Sequence, residues 1–277
     1  MSETSLPVTR VVPPTGWAEL RLAELVEYRE LAAFLVWRDV KVRYKQTALG
    51  VAWAILQPLA TMVLFTIVFG RLAGLPSDGT PYPLFALVGL LPWQVFAGSL
   101  TGAAQSLVGS AGLITKVYFP RLVVPLASAL ATLVDFFVAS IVLAGLMAYY
   151  RVMPTAAVVT LPLFLALALT TALGVGLWFA ALNVRYRDVQ YVLPFFMQLW
   201  LFASPVAYST SLIHSPLARA VYGLNPMAGA IQGFRWALLG APPPGVLLWP
   251  SVAVAAALFL SGLFFFKRME ETFADVI

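Results

Sequence analysis

Six stretches of this chain run for about twenty residues with at most one charge, and an apolar helix of that length crosses a bilayer. They are Val51–Phe69, Leu84–Ala104, Leu122–Ala148, Thr155–Leu182, Val189–Ala207 and Gly245–Phe266. Pro58 is expected to kink the first, and Asp135 is the one acidic residue inside any of them. With 61% hydrophobic and 10% charged residues, the chain has more apolar surface than a water-soluble core hides, so lipid must be the solvent for much of it. The expected fold class is an all-α membrane protein of six transmembrane helices in one domain.

An even number of spans puts both termini on one side, and the cations choose which. With the N-terminus cytoplasmic, thirteen of the 17 Lys and Arg face the cytoplasm; Arg71, Arg151, Arg219 and Arg235 are left for the other face. The opposite orientation inverts that ratio, so the positive-inside rule places both ends in the cytoplasm of a bacterial inner membrane. The net charge of +5 then reflects basic span flanks rather than a nucleic-acid partner.

Residues 1–26 are polar and proline-containing and lack the basic-then-apolar run of a signal peptide, so a cytoplasmic segment is expected ahead of a membrane domain over 27–277. Glu27–Thr47 reads as a helix. Trp37, Val40 and Tyr44 share one face and Arg38, Lys41 and Lys45 the adjacent one, the pattern of an amphipathic helix lying along the inner membrane surface. Gly50 then lets the chain turn into the membrane. Between the fifth and sixth spans, Tyr208–Pro244 is too apolar for an exposed loop, yet Arg219, Pro226 and Arg235 argue against a full crossing. A re-entrant periplasmic helical hairpin satisfies both facts, provided protein or a wet cavity surrounds its irregular backbone. The alternative is an amphipathic loop on the surface.

Several chemistries are missing. There is no cysteine, hence no disulfide or thiolate site. No phosphate-binding loop is present, nor any Gly-Lys pair, and no HExxH or GxSxG motif. The lone His214 has no carboxylate company, so no metal site is expected and its role is structural or solvent-facing. The chain is not expected to be an enzyme or to bind a cofactor itself. Asp135 is costly within a span. A structural hydrogen bond or ion pair with Arg or Tyr of a neighbouring helix explains it; substrate or proton handling is the alternative.

Four ordered blocks go further: RDVKVRYKQTALGVAWAILQPL (Arg38–Leu59), LITKVYFPRLVVPLAS (Leu113–Ser128), ALNVRYRDVQYVLPFFMQLWLFASPVAY (Ala181–Tyr208) and LNPMAGAIQGFRWALLG (Leu224–Gly240). From about Glu27 to the C-terminus the chain resembles the permease subunits of ABC transporters that export polysaccharides, most closely those for O-antigen lipopolysaccharide. Capsule and teichoic acid exporters are sister groups. The resemblance implies a homodimer bound to two copies of a separate ATPase, in which ATP and Mg are used. It also implies a continuous channel for a glycan on undecaprenyl pyrophosphate. A membrane-embedded glycosyltransferase would need an outward cluster of acids or histidines, and Asp78 and His214 fit that poorly; an exporter of small drugs or lipids lacks the four blocks.

By the same resemblance, the N-terminal helix and the Ser106–Leu122 connection contact the ATPase, with Leu113, Lys116, Tyr118 and Arg121 as the contact residues. Sugars stack their C–H faces on aromatic rings without strong directionality, which permits sliding. Tyr191, Phe195, Phe196, Trp200, Phe202 and Tyr208 are therefore the expected channel lining, with helix packing or lipid contact as the alternative. Arg38, Lys41, Arg43 and Lys45 suit a pyrophosphate headgroup or anionic lipid.

Overall fold

A computed structural model describes residues 22–45, 52–213, 215–270 and 273. Among these, every regular element is helical. Five segments are long and apolar enough to cross a membrane: Ala52–Leu72, Tyr82–Gly109, Val123–Tyr150, Ala156–Arg185 and Gly245–Glu270. They match five of the six runs to within a few residues. The exception is Val189–Ala207, whose helix ends at Ala203 after 15 residues. At 1.5 Å per residue it rises only about 22 Å, short of a hydrocarbon core of about 30 Å. Residues 204–207 leave the helix, with Ser204 in extended conformation.

The N-terminal part is α1 (Leu22–Glu27) and α2 (Arg29–Lys45), separated at Tyr28, so helix begins before Glu27 and breaks just after it. Gly50 and His214 lie outside the described residues. The first span is α3 (Ala52–Phe65), with Pro58 inside it, continued by a π-helical segment Thr66–Leu72. The second, α4 (Tyr82–Gly109), is buried nearly end to end. A short α5 (Ala111–Ile114) follows, and the third span is divided at Thr132 into α6 (Val123–Ala131) and α7 (Leu133–Tyr150). A Cβ on Gly98 would sit 2.6 Å from Thr132 Cγ2, so α4 passes close to the chain at that point and a larger residue would push the threonine side chain aside. Then come α8 (Leu161–Arg185), α9 (Val189–Ala203), α10 (Pro216–Tyr222), α11 (Pro226–Leu239) and α12 (Leu248–Glu270).

α4 lies at the centre, against α8, α6, α11, α7 and α3. α8 also packs along α12, where glycines let the backbones touch: a Cβ on Gly174 would meet Phe259 N at 2.6 Å, and one on Gly262 would collide with the carbonyl of Gly174. Trp178 and Phe265 stack beside this crossing, centroids 4.0 Å apart. Such small-residue contacts hold helices together in lipid, where the hydrophobic effect between them is lost.

Side chains form two cores. One, around Leu87, Phe96, Leu143, Ala168 and Phe234, fills the middle of the bundle and the end where α11 sits. The other lies at the basic end, where Leu35 of α2, Ile114, Phe119, Leu122, Leu263, Phe266 and Phe273 converge. α11 is inserted between α4, α8 and α12, and twelve of its residues, Arg235 included, are buried. Its N-terminus is capped by the side chain of Asn225, with Pro226 at the first helical position; Gly240 closes the other end in the left-handed region. Thr155 donates from N–H and hydroxyl to the carbonyl of Ala237, at 3.1 and 2.9 Å.

Gly262→Val is expected to force α8 and α12 apart and cost about 1–3 kcal/mol. The readout is a lower unfolding midpoint in detergent micelles. Gly145→Ala, whose added Cβ meets nothing within 4 Å, should not lower the midpoint.

Candidate functional site

The aromatic residues of α9 and the chain after it divide by face. Tyr191, Phe195 and Phe202 are 75%, 64% and 58% exposed and, with Val192 and Leu199, make one continuous stripe along the helix. Phe196 and Trp200 turn inward. Trp200 stands edge-on to Phe96 at 4.7 Å and to Phe196 at 5.1 Å, and Phe96 in turn meets Trp93 at 5.2 Å. Its indole N–H donates to Asn225 Oδ1 at 2.9 Å. Tyr208 is half-buried; its hydroxyl pairs with that of Tyr222 at 2.7 Å, and Tyr222 also donates to the carbonyl of Ala203. Burial and the bond to Tyr208 both push the Tyr222 phenol well above its ordinary pKa.

Two polar residues that spacing alone did not mark hold this region. Asn225 caps α11 through Oδ1 while its Nδ2 donates to the carbonyl of Ala203 and the hydroxyl of Ser204, each at 3.0 Å. The Asn-Pro pair at 225–226 is the sequence signal that could have found it. Arg235 is wholly buried. Its guanidinium donates to the carbonyls of Val206 (2.8 Å) and Tyr208 (3.0 Å) and lies 3.6 Å from the Phe85 ring centroid. Asp78 accepts from Ser209 and Ser211, and Tyr82 donates to the carbonyl of Ala207. The backbone that leaves α9 is thus held carbonyl by carbonyl.

At the basic end the four cations of α2 also separate. Arg38 pairs with Asp39 at 2.8 Å and reaches Ser110 Oγ at 3.3 Å, while Asp39 accepts from Ser128 at 2.7 Å. Arg43 and the Tyr44 hydroxyl both bind the carboxylate of Asp135. Asp135 is therefore partnered by an Arg and a Tyr of the same neighbouring helix. Burial, with the Asp135 bond second, raises the Tyr44 pKa. Lys41 and Lys45 are exposed and have no ion pair among the described residues. They share the outer side of α2 with Phe34 and Trp37, which are also exposed.

In the connection from α4 to α6, Ile114 and Phe119 are buried, whereas Lys116, Val117 and Tyr118 form an exposed tip; Tyr118 is 76% exposed. Leu113 packs at the edge of the second core. Arg121 faces away from the tip, toward the C-terminal end of α12, and bonds to Glu270. Among the described residues no group of three or more His, Cys, Asp or Glu is placed to hold a metal ion.

Comparison with known proteins adds to this geometry. The family model for ABC-2 type transporters matches residues 30–239. The chain is 33% identical over 260 residues to the O-antigen export system permease protein RfbA of Myxococcus xanthus, covering 92% of this chain and 98% of that relative. It is 25% identical over 253 residues to the protein of the same name from Klebsiella pneumoniae, covering 90% and 95%. It is 26% identical over 245 residues to the polysialic acid transport protein KpsM of Escherichia coli, covering 84% and 91%.

Trp200→Ala should cost about 3–5 kcal/mol, as expected of a large aromatic cut from a packed site. Phe195→Ala, on the exposed stripe, should stay within about 0.5 kcal/mol of the parent. Thermal unfolding of the purified proteins in one detergent checks both.

Proposed function

The chain belongs to the ABC-2 type transporter family, and on that premise we propose that it moves undecaprenyl-pyrophosphate-linked polysaccharide of the O-antigen type across the inner membrane. It is a permease subunit for polysaccharide export. The observation that carries this reading is the alignment with an O-antigen export permease along nearly the whole length of both chains. Capsular polysaccharide is the second reading, favoured by the similarity to a polysialic acid transport protein.

In the proposed assembly two copies pair and bind two copies of a separate ATPase, which uses the ATP and Mg. The exposed α9 stripe of Tyr191, Phe195 and Phe202 suits one wall of a glycan channel, because rings free of internal packing are available to stack on sugar faces. Phe196, Trp200 and Tyr208 stand behind that wall and set its shape. α9 and the chain through Tyr208 together make the fifth of six crossings, with α10 and α11 as the re-entrant hairpin on the periplasmic side. Both termini are then cytoplasmic, consistent with the excess of cations at one end of the bundle. There α2 lies at the membrane surface, with Phe34 and Trp37 toward lipid and Lys41 and Lys45 free for a pyrophosphate headgroup. The Lys116–Tyr118 tip meets the ATPase.

The test is reconstitution with the ATPase in liposomes. Lipid-linked O-antigen should stimulate ATP turnover and appear inside inverted vesicles; a complex stimulated by no lipid-linked glycan would overturn the substrate class. Phe195→Ala with Phe202→Ala should slow glycan transfer at unchanged folded yield. Lys41→Glu with Lys45→Glu should weaken binding of the lipid-linked substrate while membrane insertion stays normal.

A further inference from the structure

We propose that the two ends of the chain act together as a clamp that holds the Lys116–Tyr118 tip in its binding shape, with Glu270 and Arg38 as the positioning residues. The inference rests on the reading that this tip meets the ATPase. It adds what makes the tip a defined surface rather than a loose loop.

Thr115, Lys116 and Val117 bond back through their N–H groups to the carbonyls of Ala111 and Leu113, which ties the start of the tip to α5. From Tyr118 to Pro120 the chain leaves helical structure. Its course is set from the two flanks and from beneath. On the downstream flank, Arg121 and Glu270 make a reciprocal clasp across 149 residues of sequence. The backbone N–H of Arg121 donates to Glu270 Oε1 at 2.9 Å. The Arg121 guanidinium donates to the backbone carbonyl of Glu270. Lys267 holds the other carboxylate oxygen of Glu270 at 2.8 Å, and Phe273 lies 6.0 Å from the guanidinium.

On the upstream flank, Arg38 reaches Ser110, the residue that opens the connection, while Asp39 steadies its guanidinium and is itself tied to Ser128 of α6. Beneath, Ile114 and Phe119 insert into the core shared by Leu35, Phe266 and Phe273. Helices from the beginning and the end of the chain thus meet under one exposed tip. Its ring and cation, Tyr118 and Lys116, are the groups left outward.

The chain has no cysteine, so Tyr118→Cys provides a single attachment point for a spin label. In the purified permease without ATPase, adding Glu270→Ala to that variant should increase label mobility, and Glu270→Gln, whose amide oxygen can still accept from Arg121, should not. In the otherwise unaltered chain, Glu270→Ala and Arg121→Gln should each weaken ATPase binding about tenfold, with Glu270→Gln near the parent value. Arg38→Ala should weaken it in the same direction. Thermal unfolding identifies any variant that fails to fold; Arg121→Gln, which keeps its backbone N–H on Glu270, then stands in for Glu270→Ala. Unchanged label mobility and unchanged affinity in the folded variants would overturn the clamp alone. Tyr118→Asp separates the two readings: if it leaves ATPase binding intact, the docking role of the tip falls, and the clamp's purpose with it.

Discussion

The wholly buried guanidinium of Arg235 makes the irregular outer part of this bundle possible. α9 stops after 15 residues, too short to cross as helix alone, and the backbone that leaves it over residues 204–207 carries its carbonyls into the buried interior. In a bilayer each such group must find a partner within the protein. Arg235 meets two of them, at Val206 and Tyr208, and the Phe85 ring supplies a favourable face for its charge. The Tyr82 hydroxyl meets a third, at Ala207, and Asn225 closes the end of α9. Gly89 matters for the same reason: a Cβ there would stand 3.0 Å from the Arg235 guanidinium and 3.1 Å from the carbonyl of Val206. The cation, the carbonyls and the glycine form one unit, and the position of α9 depends on it.

Length and charge made five of the crossings legible, because a long uncharged run in lipid has few ways to satisfy its backbone other than helix. The same reasoning placed the end of the fifth run at Ala207, four residues beyond the helix. Apolar composition cannot distinguish a helix from a turn whose carbonyls are met by an arginine thirty residues away. The signal lay elsewhere, in the Arg235 that broke the pattern of the following segment and in the Asn-Pro pair that begins α11. A charge in an apolar stretch disfavoured a crossing; it also marked the residue that secures the irregular backbone next to it.

The side chains of the candidate site were legible by type but not by direction. Tyr191, Phe195 and Phe202 fall at helical spacing on one side of α9, and Leu193, Phe196 and Trp200 on the other. That spacing divides the rings into two sets, but only packing against Phe96 and Phe179 says which set faces in. The cations of α2 divide in the same way. Arg38 and Arg43 have acidic partners, one adjacent in sequence and one on α7, whereas Lys41 and Lys45 stay exposed. A planar guanidinium suits such fixed pairing; a compact ammonium on a flexible stem suits a mobile ligand or a lipid headgroup.

The two cores are joined by three helices that run through both, α4, α8 and α12, and α8 and α12 pass backbone against backbone at Gly174 and Gly262. A crossing of bare backbone has no side chains to repack, so α8 and α12 resist sliding there and act as one body. α12 then has a particular position. Near its C-terminal end it holds the α4–α6 connection through Glu270, and near its beginning Ser251 donates to the carbonyl of Gly223 at 2.9 Å, in the chain that enters α11. A Cβ on Gly229 would also meet that Ser251 hydroxyl at 2.6 Å, so α11 seats directly on the first turns of α12. The exposed tip at the basic end is therefore joined to α11 at the other by a continuous covalent and packed route. That route is a single helix braced against α8, and it needs no chain of separate side-chain contacts.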